Sequence, residues 1–153
     1  MANILRLSEA SALGLHAMAV LAQRRDERLS GRALAEALGA SEHTLAKVMH
    51  VLVRGGYADA VRGAQGGFRI ARDPAEVTLL AIYECIEGPF GDAGCLLGDP
   101  ACDGAPCVMR SLMERLNAEA REHFRTTTLE QLAAGIRLGK RSKEDADAQP
   151  ADA

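Results

Sequence analysis

The sequence predicts a mainly α-helical chain with one small β-hairpin, arranged as a winged helix-turn-helix followed by a long dimerisation helix. Three observations carry this expectation. Two short helical patterns meet at Gly39-Ala40-Ser41, a glycine-containing turn of the kind that joins a helix-turn-helix. A strand-like pattern from Tyr57 to Ala71 folds back on itself around Arg62-Gly63-Ala64-Gln65-Gly66-Gly67, as a hairpin does. A stripe of apolar residues then runs at three- and four-residue steps from Val108 to Phe124, which marks one long amphipathic helix.

The bulk properties agree. At 153 residues the chain suits one domain with an appended helix. Hydrophobic residues make up 48%, aromatics only 3%, and Trp is absent, so the core must be built from Leu, Val, Ala and Met. No apolar run reaches the roughly 18 residues of a membrane span. The start, Met1-Ala2-Asn3-Ile4-Leu5-Arg6, does not have the form of a secretion signal, and a cytoplasmic protein is the expectation. Residues 1–72 carry ten Lys/Arg against six Asp/Glu, whereas residues 73–153 carry eight against fifteen. A basic front half and an acidic back half suit a chain whose front meets phosphate.

Taken in order, the first helix is expected over Ala10–Arg24, capped by Ser8, with Leu13, His16, Ala17, Val20 and Leu21 at helical spacing. Asp26-Glu27-Arg28 makes a polar connection. Ser30 caps a second helix, Arg32–Leu38, which Gly39 ends. Ser41 caps a third, Glu42–Arg54, with Leu45, Val48, Met49 and Leu52 on its apolar face and Gly55-Gly56 as its stop. Its outward residues, Glu42, His43, Thr44, Lys47 and His50, are polar and lie toward the N-terminal end, the end that enters the major groove in this motif. Strands over Tyr57–Val61 and Phe68–Ala71 form the wing. Of these residues, His43, Thr44 and Lys47 are the candidates for the major groove, Arg54 for a phosphate, and Arg62 and Gln65 at the wing tip for the flank.

A fourth helix, Val77–Glu87, capped by Thr78 or by the preceding turn, is heavily apolar and belongs to the core. Cys85 within it reads as a small buried hydrophobe. Gly88-Pro89 ends it. The long helix is expected over Pro106–Arg125, with Pro106 in its first turn. Its stripe of Val108, Met109, Leu112, Met113, Leu116, Ala120 and Phe124 would be buried by pairing with a second copy. Thr128-Leu129-Glu130-Gln131 matches a capping box and starts a last short helix to Ala134. Residues 138–153 lack any hydrophobic pattern and read as a disordered tail.

Between the fourth and fifth helices lies a loop that holds Cys95, Cys102 and Cys107, three of the four cysteines in the chain. Within Gly94–Cys107, three Gly and two Pro exclude a regular helix or strand, so several thiols can turn to one point. Deprotonated thiols are soft ligands that favour iron–sulfur clusters, zinc or copper(I). Structural zinc sites usually show Cys pairs two to four residues apart. Here six and four residues intervene, so only the second pair approaches that, and the pattern better suits an iron–sulfur cluster, 2Fe-2S or 4Fe-4S, with a fourth ligand from elsewhere. Zinc and bare thiols stay as alternatives. His16 could offer an imidazole and Glu9 a carboxylate.

Residues 4–137 resemble the IscR/NsrR-type family of bacterial winged-helix repressors. The matching features are Leu21-Ala22, Ser41-x-x-x-Leu45-x-Lys47, Leu52-x-x-Gly55-Gly56-Tyr57, the wing Val61-Arg62-Gly63-Ala64-Gln65-Gly66-Gly67-Phe68, the three-cysteine loop and Thr128-Leu129-x-x-Leu132. The resemblance implies a homodimer joined by the long helix and bound to a roughly palindromic operator. It also implies an iron–sulfur cluster on Cys95, Cys102 and Cys107, reporting iron supply, nitric oxide or redox state. Two positions depart from the family. Ala12 stands where nitric-oxide-responsive members carry an Asp ligand, and Arg110 where cluster-biogenesis members carry a His. The His ligand of redox-responsive members falls on His16, which makes His16 the first choice for the fourth ligand and Glu9 the second.

The expected organisation is therefore a DNA-binding head over 1–88, a cysteine-bearing loop over 89–107, a dimerisation helix and short terminal helix over 108–137, and a tail. The expected function is a homodimeric transcriptional repressor. The alternatives are a metal-free thiol-redox regulator and a winged-helix adaptor that docks a cysteine enzyme. No phosphate-binding loop, Ser/His/Asp arrangement or paired-carboxylate motif points to an enzyme.

Overall fold

The computed structural model describes residues 7–63, 66–91 and 108–136. Gln65, Cys95, Cys102, Cys107, Pro106 and the tail from 138 onward lie outside the described residues. The element order is α1 (Glu9–Gln23), α2 (Gly31–Leu38), α3 (Glu42–Arg54), β1 (Ala58–Val61), β2 (Gly67–Ile70), α4 (Leu79–Glu87), α5 (Val108–Thr126) and α6 (Leu129–Gly135). This is the mainly helical winged helix-turn-helix that the sequence predicts, with boundaries shifted by no more than two residues.

The helix starts follow from side-chain capping. Ser8, Ser30, Ser41, Thr78 and Thr128 each sit in extended backbone and accept the backbone N–H three residues on, an arrangement worth about 1 kcal/mol per helix. At α6 the box is complete, with the Gln131 side chain accepting the Thr128 N–H at 2.9 Å. Gly39 ends α2 at φ 63°, a left-handed conformation that glycine adopts without penalty.

α1 is the centre of the core. Leu15, Ala17, Met18, Ala19, Val20, Leu21 and Ala22 are all buried, so the helix is covered on nearly every side rather than along one stripe. Its small residues permit this. A Cβ added at Gly14 would lie 2.3 Å from Cδ1 of Ile86 on α4 and 3.1 Å from Cγ1 of Val48 on α3. His16, which the spacing placed on the apolar stripe, is exposed instead, because the residues that pack inward are its neighbours Leu15 and Ala17.

β1 and β2 pair antiparallel with Asp59 opposite Arg69 and Ala60 opposite Phe68. The connection before α2 also joins this sheet. Leu29 N–H donates to Phe68 O at 3.0 Å, and Phe68 N–H donates to Leu29 O at 2.8 Å. The close approach requires Gly67, where a Cβ would fall 2.4 Å from the Leu29 carbonyl oxygen.

α5 leaves this head. Phe124 near its end joins Tyr83 and Phe90 in an aromatic group with centroids 5.0 to 6.2 Å apart. Farther out, Leu112, Met113, Leu116 and Ala120 are only half-buried, and Met109 is 48% exposed. α6 folds back onto α1: Leu129 and Ala133 are buried, and Gln23 donates to the carbonyls of Ala133 (2.6 Å) and Ile136 (2.8 Å). Backbone bonds Leu79 N–H to Thr127 O (3.0 Å) and Leu129 N–H to Val77 O (2.7 Å) fasten the starts of α4 and α6 together.

Candidate functional site

The apolar side of α3 is fixed by Leu45, Val48, Met49 and Leu52, all buried. That orientation turns the opposite face to solvent. His43, Lys47, His50 and Arg54 are exposed there, and their spacing of four, three and four residues sets them in one line along the helix. Thr44 is half-buried. Its hydroxyl lies 2.8 Å from the Ser41 hydroxyl, and its N–H donates to the same oxygen at 3.1 Å, so Thr44 shapes the N-terminal end of the helix as well as edging its outer face. The open N-terminal end carries the positive pole of the helix, which favours an anion. Together these groups form a line of hydrogen-bond donors and cations about 16 Å long, from the 1.5 Å rise per residue, and a phosphate backbone is their chemical complement.

The wing stands beside this line. Arg62 is exposed just beyond β1. Arg69 is held by Asp59 across the hairpin at 3.3 Å, which takes part of its charge out of play. Arg72 lies at the junction of wing and recognition helix, a role that sequence reasoning missed. Its Nε donates to Gly56 O at 2.9 Å, its Nη2 donates to Gly55 O at 3.1 Å, and its guanidinium lies 4.3 Å from the centroid of the Tyr57 ring. Only the pairing register brings Arg72 to residues fifteen to seventeen positions earlier, so spacing along the chain carried no signal of it.

The proposed ligand residues of the first helix are placed together. Glu9 and His16, both exposed, line a hollow of about 320 Å³ with Ala12, Leu13, Leu38, Gly39 and Ala40. His16 Nδ1 lies 2.7 Å from the Ala12 carbonyl oxygen. A carbonyl can only accept, so Nδ1 carries the hydrogen and the neutral ring keeps its lone pair on Nε2, the form that ligates a metal. An imidazole in that form, or the Glu9 carboxylate, fits a centre otherwise held by thiolates. Ala12 offers no donor. Arg110 pairs with Glu114 at 2.9 Å. Among the described residues no three His, Cys, Asp or Glu side chains gather at one point.

A second unforeseen residue ties this region to α4. Glu87, the last residue of α4, accepts hydrogen bonds from the Ser11 hydroxyl (2.6 Å) and from the Ser8 hydroxyl. These two bonds hold its carboxyl below the usual carboxylate range. Cys85 is half-buried and packs against the core. Burial pushes its thiol up, against the opposing charge of Arg72, so it stays protonated and behaves as the small hydrophobe expected from the sequence.

Comparison with known proteins places the chain. The profile of the Rrf2 family, described as iron-dependent transcriptional regulators, matches residues 7–135. A helix-turn-helix-type transcriptional regulator of Aquifex aeolicus is 31% identical over 121 residues, covering 77% of this chain and 84% of that one. The regulator CymR of Bacillus subtilis is 30% identical over 131 residues, covering 85% of this chain and 91% of its own. The CymR structure, titled as that of a global cysteine regulator, superposes with a TM-score of 0.73 at 27% identity, over 88% of this chain and all of that one. IscR of T. potens superposes with a TM-score of 0.66 at 26% identity, over 89% of this chain and 95% of its own. No helix among the described residues is long and apolar enough to cross a membrane. These relatives are regulators rather than enzymes, and the chain belongs to the Rrf2 family of winged-helix, DNA-binding transcriptional regulators.

Proposed function

We propose that this regulator is a homodimeric repressor, acting in the cytoplasm, whose DNA affinity is set by an iron–sulfur cluster on Cys95, Cys102 and Cys107 with His16, or failing that Glu9, as fourth ligand. One observation carries the reading. Glu87 stands immediately before the loop that holds the cysteines and accepts hydrogen bonds from Ser8 and Ser11. The loop therefore begins within a turn of Glu9 and two turns of His16, on the helix whose exposed face offers both donors. Bound there, a cluster supplies a centre sensitive to iron supply, nitric oxide and redox state.

The chain's own residues do the rest. Lys47 and His43 face the major groove, Thr44 fixes the entering end of α3, Arg54 neutralises a phosphate, and Arg62 and Gln65 hold the flank. α5 pairs with its copy through Leu112, Met113 and Leu116 and so sets the separation of two recognition helices. Half-sites should lie about 34 Å apart, one turn of DNA, or a multiple of it.

A second reading is a regulator that works through the same thiols without metal. The likeness to CymR, titled a global cysteine regulator, favours it. Anaerobic purification followed by visible absorbance and by iron and sulfide analysis, on the wild type and on Cys102→Ala, separates the two. The expected result is a brown protein whose iron and sulfide are lost in the variant, after which His16→Ala and Glu9→Ala identify the fourth ligand. A wild type that stays colourless and iron-free after anaerobic reconstitution overturns the cluster and leaves the thiols.

A further inference from the structure

We propose that Arg72 is a positioning residue for DNA recognition: it fixes the angle between the recognition helix and the wing, and so sets discrimination between sequences without touching a phosphate. The inference rests on the reading above that α3 and the wing grip one duplex together.

The joint between the two is closed on its α3 side by backbone bonds, Gly56 N–H to Val53 O and Tyr57 N–H to Leu52 O, both 3.0 Å. α3 ends at Arg54 and β1 begins at Ala58. Two of the three intervening residues, Gly55 and Gly56, have no side chain to pack, and Gly56 takes φ 72°. Gly55 is packed against Cys85 and Tyr57, so the hinge of this link is the exposed Gly56. Arg72, two residues beyond β2, closes over that hinge. It binds the carbonyls of Gly55 and Gly56 with two different nitrogens and covers the face of Tyr57. Next to it, Ala71 N–H donates to Tyr57 O at 3.0 Å. One guanidinium thus joins the C-terminal end of α3, the entry to β1 and the exit of β2. Its charge also sits at the negative pole of α3.

The planar fork is what the arrangement uses. A lysine keeps the charge but is a point donor that cannot hold both carbonyls and the ring face at once. The distinction matters at a specific site, where helix and wing must both dock on DNA of fixed geometry. A loose joint must then be ordered on binding, and that cost falls on specific complexes. Non-specific binding depends on charge and is spared.

The test compares wild type with Arg72→Lys and Arg72→Gln, and takes Arg54→Ala as the reference for a lost phosphate contact. The probes are a duplex selected by the wild type from a random pool and a scrambled duplex of the same composition, each titrated over a range of salt. Both Arg72 variants should lose about tenfold in affinity for the selected duplex, the order of a charged hydrogen bond. Affinity of Arg72→Lys for the scrambled duplex, and its salt slope, should match the wild type. Without DNA, hydrogen exchange over 55–58 and 71–72 should accelerate in both variants. Rescue by lysine, together with a slope lowered by about one in Arg72→Gln as in Arg54→Ala, would make Arg72 a phosphate contact and overturn the proposal. Unchanged exchange in both variants would overturn it equally. If selection returns no duplex, the pairing of α3 and wing on DNA fails, while the exchange result still decides whether Arg72 is the clamp.

Discussion

Glu87 closes the first turn of α1 from outside that helix. Ser8 accepts the Ser11 N–H at 3.0 Å as an ordinary cap, and the hydroxyls of Ser8 and Ser11 then donate onward to the Glu87 carboxylate. Because these bonds lower the pKa in the folded state, they stabilise the fold at pH values above the carboxylate range, and the contribution is lost as pH falls through the folded value. Glu87→Gln should therefore lower stability near pH 7 by at most about 1 kcal/mol, since the carboxylate is exposed to water. Urea unfolding of both proteins at descending pH should show the gap closing below about pH 4. A gap that stays constant with pH would mean that the charge plays no part. Gln23 is a comparable case, an exposed amide that caps the far end of α6 through the carbonyls of Ala133 and Ile136.

At the scale of elements, α3 and α4 meet so closely at Gly55 that no side chain fits. A Cβ there would lie 2.5 Å from Cys85 Sγ and 3.1 Å from a Tyr57 ring carbon. Gly55 has φ −75°, which any residue adopts, so the glycine is required for space alone. Gly55→Ala should destabilise the fold by about 1–3 kcal/mol, the cost of overpacking. Adding Cys85→Ala removes the atom in the way, and the double variant should be more stable than the two single losses predict by about 1 kcal/mol. Strict additivity in a thermal or urea double-mutant cycle would show that the thiol is not what Gly55 avoids. The elements themselves were legible because their signals are local: a capping Ser or Thr three residues before the N–H it satisfies, Gly39 after α2, alternation around the wing. The burial of α1 on all sides, the third partner that Leu29 adds to the wing sheet and the return of α6 onto α1 were not legible. Each depends on contacts between segments roughly 40 to 110 residues apart, which no local pattern encodes.

For the whole molecule, α5 is the element that the head does not cover. Phe124 is received by Tyr83 and Phe90, but Leu112, Met113 and Leu116 stay half-buried and Met109 exposed. A second α5 is the proposed cover. Leu116→Glu should yield a monomer in sedimentation while the helical content of the head persists, and operator affinity should fall steeply as the two half-sites lose their link. A variant that remains a dimer would place the interface elsewhere. The stripe was readable in the sequence because its period is that of a helix; its partner was not, because a period says that a face is buried and not by what. The attachment of α5 has a mechanical consequence. The helix is fastened at its end, through Phe124 and through Thr127, whose carbonyl accepts the Leu79 N–H, and again partway along, where Asn117 donates to Gly91 O at 2.7 Å. Nineteen residues make a rod about 28 Å long, of which the part from Val108 to Asn117, about 14 Å, is a free arm; a swivel of about 5° at Asn117 carries its tip through about 1.2 Å. The travelling end is the one that Cys107 immediately precedes. On the proposed reading, with Cys107 holding a cluster, chemistry there would act on the free arm of a lever whose fulcrum lies in the head, and a small force would reach the head as torque.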